Sequence, residues 1–221
     1  LSELKDYSIK TYEEAIQVIE EVGFLPLAPL VPEFPALNTI TAPELWHSDT
    51  EFDPWIWRTR FAVKGVAGYG KFIKKKSVLI SRDLLPFFKA VLGSYEKVEE
   101  RYQKGNVSRE ALTLYRTISE QGVIDTRELR TLAGLREKEH KRVLELQGTM
   151  DLVISGIKEK TNAEGEKNGW SSTSFETYDS WSSKSKVEVV DVEKGKAREY
   201  LLNHFQGVAS ENAVKKLKKI L

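Results

Sequence analysis

The stretch SREALTLYRTISEQGVIDTRELRTLAGLREKEHKRVLELQG, residues 108–148, decides the fold. Ala111, Leu112, Leu114, Tyr115 and Ile118 recur at helical intervals behind Ser108, a residue suited to an N-cap. Gly122 ends that helix, because glycine takes the left-handed C′ conformation at little cost. Asp125 opens a second helix with Glu128 in the capping-box position, Leu129, Leu132 and Ala133 facing inward and Gly134 as the stop. A third helix is predicted over about 136–147. His140, Val143, Leu144 and Gln147 lie on one side of it, and Lys138, Lys141, Arg142 and Glu145 on the other.

After Gly148 the pattern turns β-rich, at 152–157 and again at 170–178. Between these runs the polar segment 160–169 carries turn residues at Asn162, Gly165, Asn168 and Gly169. Three helices followed by a long-tipped hairpin make a winged helix-turn-helix, and the fold class is α+β with tandem winged-helix-like units. In such a unit the third helix enters the major groove, so Lys138, Lys141 and Arg142 form the reading face. Glu137, Glu139 and Glu145 dilute that face, and a protein-binding or purely structural role stays open. The expected division is an N-terminal α+β winged-helix-like unit over 1–105, the winged helix-turn-helix over 106–185, and a strand with a helical tail over 186–221.

The chain has 221 residues, 40% of them hydrophobic and 30% charged, with a net charge of +1. No overall field attracts polyanions, so any nucleic-acid footprint must be local. Cysteine is absent, which excludes disulfides, thiolate metal sites and cysteine nucleophiles. Histidines 47, 140 and 204 share no ligand spacing, so no metal is expected, and no dinucleotide loop, kinase set or nucleophile elbow calls for a cofactor. No apolar run approaches the roughly 20 residues of a membrane span, and no secretory signal is visible, so a cytoplasmic protein without a membrane partner is expected.

In the N-terminal half, Thr11 and Glu14 form a capping box for a helix over 11–22 that Gly23 closes. Prolines 26, 29, 32 and 35 predict an extended surface path over 25–35, either a loop packed on its own domain or a proline ligand for a partner. The segment 44–58 is dense in aromatic and acidic residues. Asp53-Pro54 is a helix start, and Trp55 and Trp57, two apart, cannot share one face, so one is buried and the other free. Two readings stand for this segment. Either Trp46 or Trp55 stacks on a base while Asp49, Glu51 or His47 does proton chemistry, or the segment is an aromatic core corner with capping carboxylates.

Residues 58–82 hold eight basic side chains and no acidic one. They read as a hairpin, with strands over 66–72 and 78–80 around a turn at Lys74, Lys75 and Lys76. Lys71 and the three turn lysines are candidate phosphate contacts, or solvated charges that discourage edge pairing. The spacing from Gly65 to Lys71 matches a phosphate-binding loop. Phe72 stands where the hydroxyl that holds magnesium belongs, and no buried apolar strand precedes Gly65, so an NTPase site is rejected. Helices are further expected around Leu84–Leu92, Ala197–Phe205 and after Ser210, a loop over 181–186, and a strand over 187–192.

The segments Asp53-Pro54-Trp55-Ile56-Trp57-Arg58 and Tyr69-Gly70-Lys71-Phe72, and the run 81–88 with its Leu-Pro-Phe-Phe, resemble the AlkZ-related proteins of bacteria, relatives of the AlkZ winged-helix DNA glycosylases. The unit 108–178 and the stretch 197–221 fit the same pattern. The resemblance implies tandem winged-helix architecture and duplex DNA as partner, and, in the glycosylases, metal-free excision of alkylated purines. Those enzymes use two glutamines separated by one residue. Here glutamines stand at 17, 103, 121, 147 and 206, and the corresponding region, 24–28, has no polar side chain. The reading is a DNA-binding relative that lacks the catalytic pair. A divergent glycosylase using a carboxylate and a protein-interaction module are the alternatives.

Overall fold

The structure is a computed structural model that describes residues 6–221. The N-terminal part runs α1 (Tyr12–Val22), β1 (Phe24–Pro26), α2 (Leu37–Ile40), a 3₁₀ turn (Pro43–Leu45), α3 (Pro54–Val63), β2 (Ala67–Ile73), β3 (Lys76–Ser81), α4 (Leu85–Leu92) and α5 (Val98–Gln103). Then come α6 (Arg109–Gln121), β4 (Ile124–Asp125), α7 (Thr126–Ala133), α8 (Glu137–His140), α9 (Val143–Gly148), β5 (Leu152–Lys158) and β6 (Ser172–Thr177). The chain closes with α10 (Tyr178–Lys184), α11 (Lys194–Val208) and α12 (Glu211–Ile220). Two antiparallel three-stranded sheets, ordered β1-β3-β2 and β4-β6-β5, give the mixed α and β class.

The helix starts follow local chemistry. Thr11 Oγ1 accepts from Glu14 N–H, and the Glu14 carboxylate accepts in return from Thr11 N–H, so the predicted box is complete. Ser108 and Asp125 cap α6 and α7. Asp53 does more than cap α3. Its buried carboxylate accepts from the amides of Trp55 (2.9 Å), His47 (3.0 Å) and Asp49 (3.1 Å). His47 and Asp49 both sit at left-handed φ, so one carboxylate fastens the strained 46–53 loop to the helix it precedes.

Each of two hydrophobic cores draws on both sides of residue 105. One holds Trp57, Phe61 and Leu79 with Leu114, Leu129 and Leu146; the other stacks Phe24 on Phe88, sets Phe205 edge-on to both, and includes Met150 and Trp181. The indole N–H of Trp181 donates to Ala62 O at 2.9 Å, tying α10 to the end of α3. Among the described residues no helix is long and apolar enough to cross a membrane.

Several expectations are corrected. Residues 24–26 are a buried edge strand, not a surface path, with Pro26 at its last pairing position, opposite Val78. Gly68 and Gly70 lie inside β2, in agreement with the rejection of an NTPase loop there. Glu128 does not close a capping box and instead pairs with Lys158 at 3.0 Å. Leu132 is 58% exposed. The third helix is two short helices, α8 and α9, with Lys141 and Arg142 between them, and Leu146 rather than Leu144 is fully buried. Residues 178–184 are helical, started by Thr177 Oγ1 accepting from Ser180 N–H. The segment 187–192 pairs with no strand among the described residues. Gly207 lies within α11, which ends at Val208.

Two outcomes follow. Replacing Asp53→Ala frees three amides and removes a cap, so urea unfolding should show a loss of about 1–2 kcal/mol, with Asp53→Asn retaining most of the stability. Burial alone would raise the Asp125 carboxyl, but the Arg127 amide at 2.8 Å, with Lys158 Nζ at 3.4 Å, holds it down at about 2. Its folded value is below the unfolded one, about 3.9, so the stability it supplies is present above that value and fades as pH falls toward the folded one. Thermal melts should show Asp125→Asn less stable than the parent at neutral pH, with the gap closing between about pH 4 and pH 2.

Candidate nucleic-acid interface

The hairpin of β2 and β3 turns through Lys74 and Lys75, at φ of 49° and 59°, with Ile73 and Lys76 paired across it. Two consecutive left-handed residues make the tight two-residue hairpin turn that normally recruits Asn and Gly. Lysine at both positions is strained, since a Cβ there crowds the following carbonyl. The expected three-lysine turn is therefore a two-lysine turn, and Lys76 opens β3.

Besides apolar packing, one polar side chain among the described residues joins this hairpin to the second half of the chain. Gln147, 1% exposed on α9, accepts from the Lys71 amide at 2.8 Å through Oε1. Its Nε2 donates to Val143 O within α9. The bond docks α9 onto β2 and carries α8 and α9 to the lysine turn. Between them lies a groove of about 890 Å³, lined by Lys75, Glu110, Arg136, Lys138, Glu139, Lys141, Arg142, Leu144 and Glu145.

Five of the lining residues are basic and three acidic, and two of the acids, Glu139 and Glu145, are engaged. Glu139 binds the Arg136 guanidinium (2.6 Å) and amide (3.0 Å), which lowers the carboxyl and raises the guanidinium. Glu145 accepts from the Ser108 amide (3.3 Å) and hydroxyl (3.2 Å), bracing the start of α6, and lies 3.9 Å from Arg142. Among the described residues, Lys75, Lys138 and Lys141 have no carboxylate within ion-pair distance. The groove thus offers three unpaired ammonium groups. Lys71, Lys74 and Lys76 are on the same hairpin but do not line it. Arg136, absent from the predicted contacts, does line it.

The aromatic-acidic segment is arranged differently. Trp57 is fully buried, its indole N–H donating to Glu51 O at 2.7 Å, while Trp55 is 41% exposed beneath the Arg58 guanidinium, 3.6 Å from the ring centre. Trp46 donates its indole N–H to Thr41 Oγ1 at 2.9 Å. Trp46 and Trp55 line one open pocket of about 520 Å³ with Leu27, Ala28, Asn38 and Pro43. His47, Asp49 and Glu51 do not line it. His47 lies 5.0 Å from the Trp55 ring, and the exposed Asp49 reaches toward Lys167 (3.9 Å) on the β5–β6 connection.

A family model described as AlkZ related matches residues 9–221. The chain belongs to the AlkZ-related family. Among solved structures, this AlkZ-related chain is similar to the Streptomyces sahachiroi DNA glycosylase AlkZ, with 11% identity and a TM-score of 0.48. The match covers 96% of this chain and 60% of that one, so the chain spans less than two thirds of the glycosylase's length. No curated protein matches it.

The Gln147 bond is directly testable. Gln147→Leu leaves the Lys71 amide without its acceptor and should lower stability by about 1–3 kcal/mol in chemical unfolding. Amide hydrogen exchange at Lys71 should accelerate more than exchange at Leu79, within the same sheet.

Proposed function

We propose that this AlkZ-related protein binds duplex DNA without excising a base, using residues 106–185 as a winged helix-turn-helix. The observation that carries this reading is the shared groove: Lys75 from the N-terminal hairpin and Arg136, Lys138, Lys141 and Arg142 from α8 and α9 face one space. The order α6-β4-α7-α8-α9-β5-β6, with β4 pairing on β6 and a long 159–171 connection, supports reading this part as a helix-turn-helix with a wing. Lys71, Lys74 and Lys76 flank the groove and add contacts to the phosphate track. The left-handed lysines support the same reading. Residues that break a local rule without a packing reason mark functional positions, and strain kept at a turn tip presents two ammonium groups where Asn-Gly would present none.

Base excision has less support. The family's glutamine pair has no counterpart in this sequence, and His47, Asp49 and Glu51 lie outside the tryptophan pocket. The expected division into units over 1–105, 106–185 and 186–221, and a cytoplasmic location, belong to this proposal too.

Fluorescence anisotropy with a labelled duplex tests the reading. Affinity should fall steeply with salt, by about 0.9 in log K per log salt for each phosphate neutralised. Lys141→Glu with Arg142→Glu should weaken binding and flatten that slope. Replacing Lys74→Asn and Lys75→Gly together should raise thermal stability, by about 1 kcal/mol or more, while weakening DNA binding. A salt-independent affinity, or no binding by the parent, ends the proposal.

A further inference from the structure

A cavity of about 280 Å³ opens where the end of α3 meets the β4-β6-β5 sheet and α10. It shares no lining residue with the cationic groove or the tryptophan pocket. Val63 and Val123, both more than half exposed, stand at its mouth with the exposed Lys64. Glu176 on β6, Ser155 on β5 and Trp181 on α10 line its interior, and the Trp181–Ala62 bond closes the back.

Two oxygens in this cavity are left unbonded. Ile154 pairs with Phe175 and Gly156 with Ser174, so Ser155 is the extra residue of a β-bulge, a device that re-aims a side chain. The buried Ser155 hydroxyl has no partner among the described residues. Glu176 is 1% exposed. Its Oε1 accepts from the Ser180 hydroxyl at 2.7 Å and pairs with the Lys184 ammonium, while its Oε2 has no donor among the described residues. Buried polar groups are nearly all bonded in folded proteins, and a buried carboxylate needs a cation beside it. Lys184 supplies that cation from outside. It is the last residue of α10, and its side chain is 60% exposed against 2% for its partner. A ligand ammonium can take its place and, with three donors, also reach the two oxygens that Lys184 leaves unbonded.

We infer that this cavity binds a small organic ammonium, its charged end on Glu176 and Ser155 and a short alkyl chain between Val63 and Val123. The volume lies just below the range of about 300–1,000 Å³ typical of ligand sites, which limits the ligand to a few carbons. The cavity also adjoins the C-terminus of α3, the end of a helix that favours positive charge. Lys64 at the mouth repels a second cation and attracts a carboxylate. The class is therefore a short amino acid with its amine and acid at opposite ends of the chain, ahead of a diamine. The inference does not depend on the duplex-binding reading.

The test titrates the isotope-labelled full chain by NMR, read at the Trp181 indole N–H. Three probes of equal chain length are compared: δ-aminovalerate, cadaverine and valerate. δ-Aminovalerate should give a saturable shift, cadaverine should bind more weakly by about fivefold, and valerate should give none. Glu176→Gln should abolish the response. Lys184→Met removes the resident competitor and should tighten binding by about tenfold, the factor expected where the lysine holds the carboxylate about nine-tenths of the time. The two variants move affinity in opposite directions, so damage to the fold does not imitate the pair of results. No saturable shift in either the wild type or Lys184→Met means a cavity that holds water alone and overturns the site. Binding of valerate, or binding that survives Glu176→Gln, also overturns it, and cadaverine binding as tightly as δ-aminovalerate overturns the assignment to amino acids.

Discussion

The buried ion pair of Arg101 and Asp151 fixes how the two halves of the chain meet. Arg101 Nη2 lies 2.6 Å from Asp151 Oδ2, with both side chains under a tenth exposed. Thr149 donates to the same carboxylate, and Lys89 Nζ lies 3.9 Å away while donating to Met150 O at 2.9 Å. Burial pushes the Lys89 ammonium down, and the Asp151 charge pulls it back up. Such a cluster need not outperform a hydrophobic replacement in stability, but losing one member strands a charge away from water, at a cost of about 3–5 kcal/mol. It joins α4 and α5 to the root of β5, and the Asp151 main chain also bonds Leu146 and Tyr178. The groove has one wall on each half of the chain, so its width depends on this joint.

The Gln147–Lys71 bond sets the second coordinate, and the Trp181–Ala62 bond the third. Together they explain how a chain of net charge +1 presents a cationic site. Opposite charges are not excluded from the groove. Two of its three carboxylates are occupied, Glu139 by Arg136 and Glu145 by the cap of α6, while Glu110 and three lysines have no ion-pair partner among the described residues.

Much of the fold was legible because it rests on local chemistry. The Thr11 box, the Asp53-Pro54 start and the separation of Trp55 from Trp57 all concern residues within one or two turns of each other. The errors fall where distant contacts decide. The Ser-rich segment 178–184 becomes helical because Trp181 finds a partner 119 residues away, overriding weak propensity. The valines of 187–192 alternate like a strand, but no strand lies beside them. The break between α8 and α9 was hidden because Lys141 and Arg142 keep helical φ with ψ near −15°, a 3₁₀-like tightening that hardly disturbs the spacing of the apolar side chains. The basic residues of the site could be named from sequence, but not their convergence, which depends on a bond spanning 76 residues. Its one visible sign was a glutamine in the inward stripe of a helix.

The pairing of Arg136 with Glu139 bears on kinetics. If the groove binds duplex DNA as proposed, an incoming phosphate oxygen would displace a carboxylate already seated on the guanidinium, and on leaving would be replaced by that same carboxylate. Exchange of one anion for another keeps the barrier low in both directions. In that proposed role, a grip built this way would favour brief residence and repeated sampling along a polymer over permanent capture.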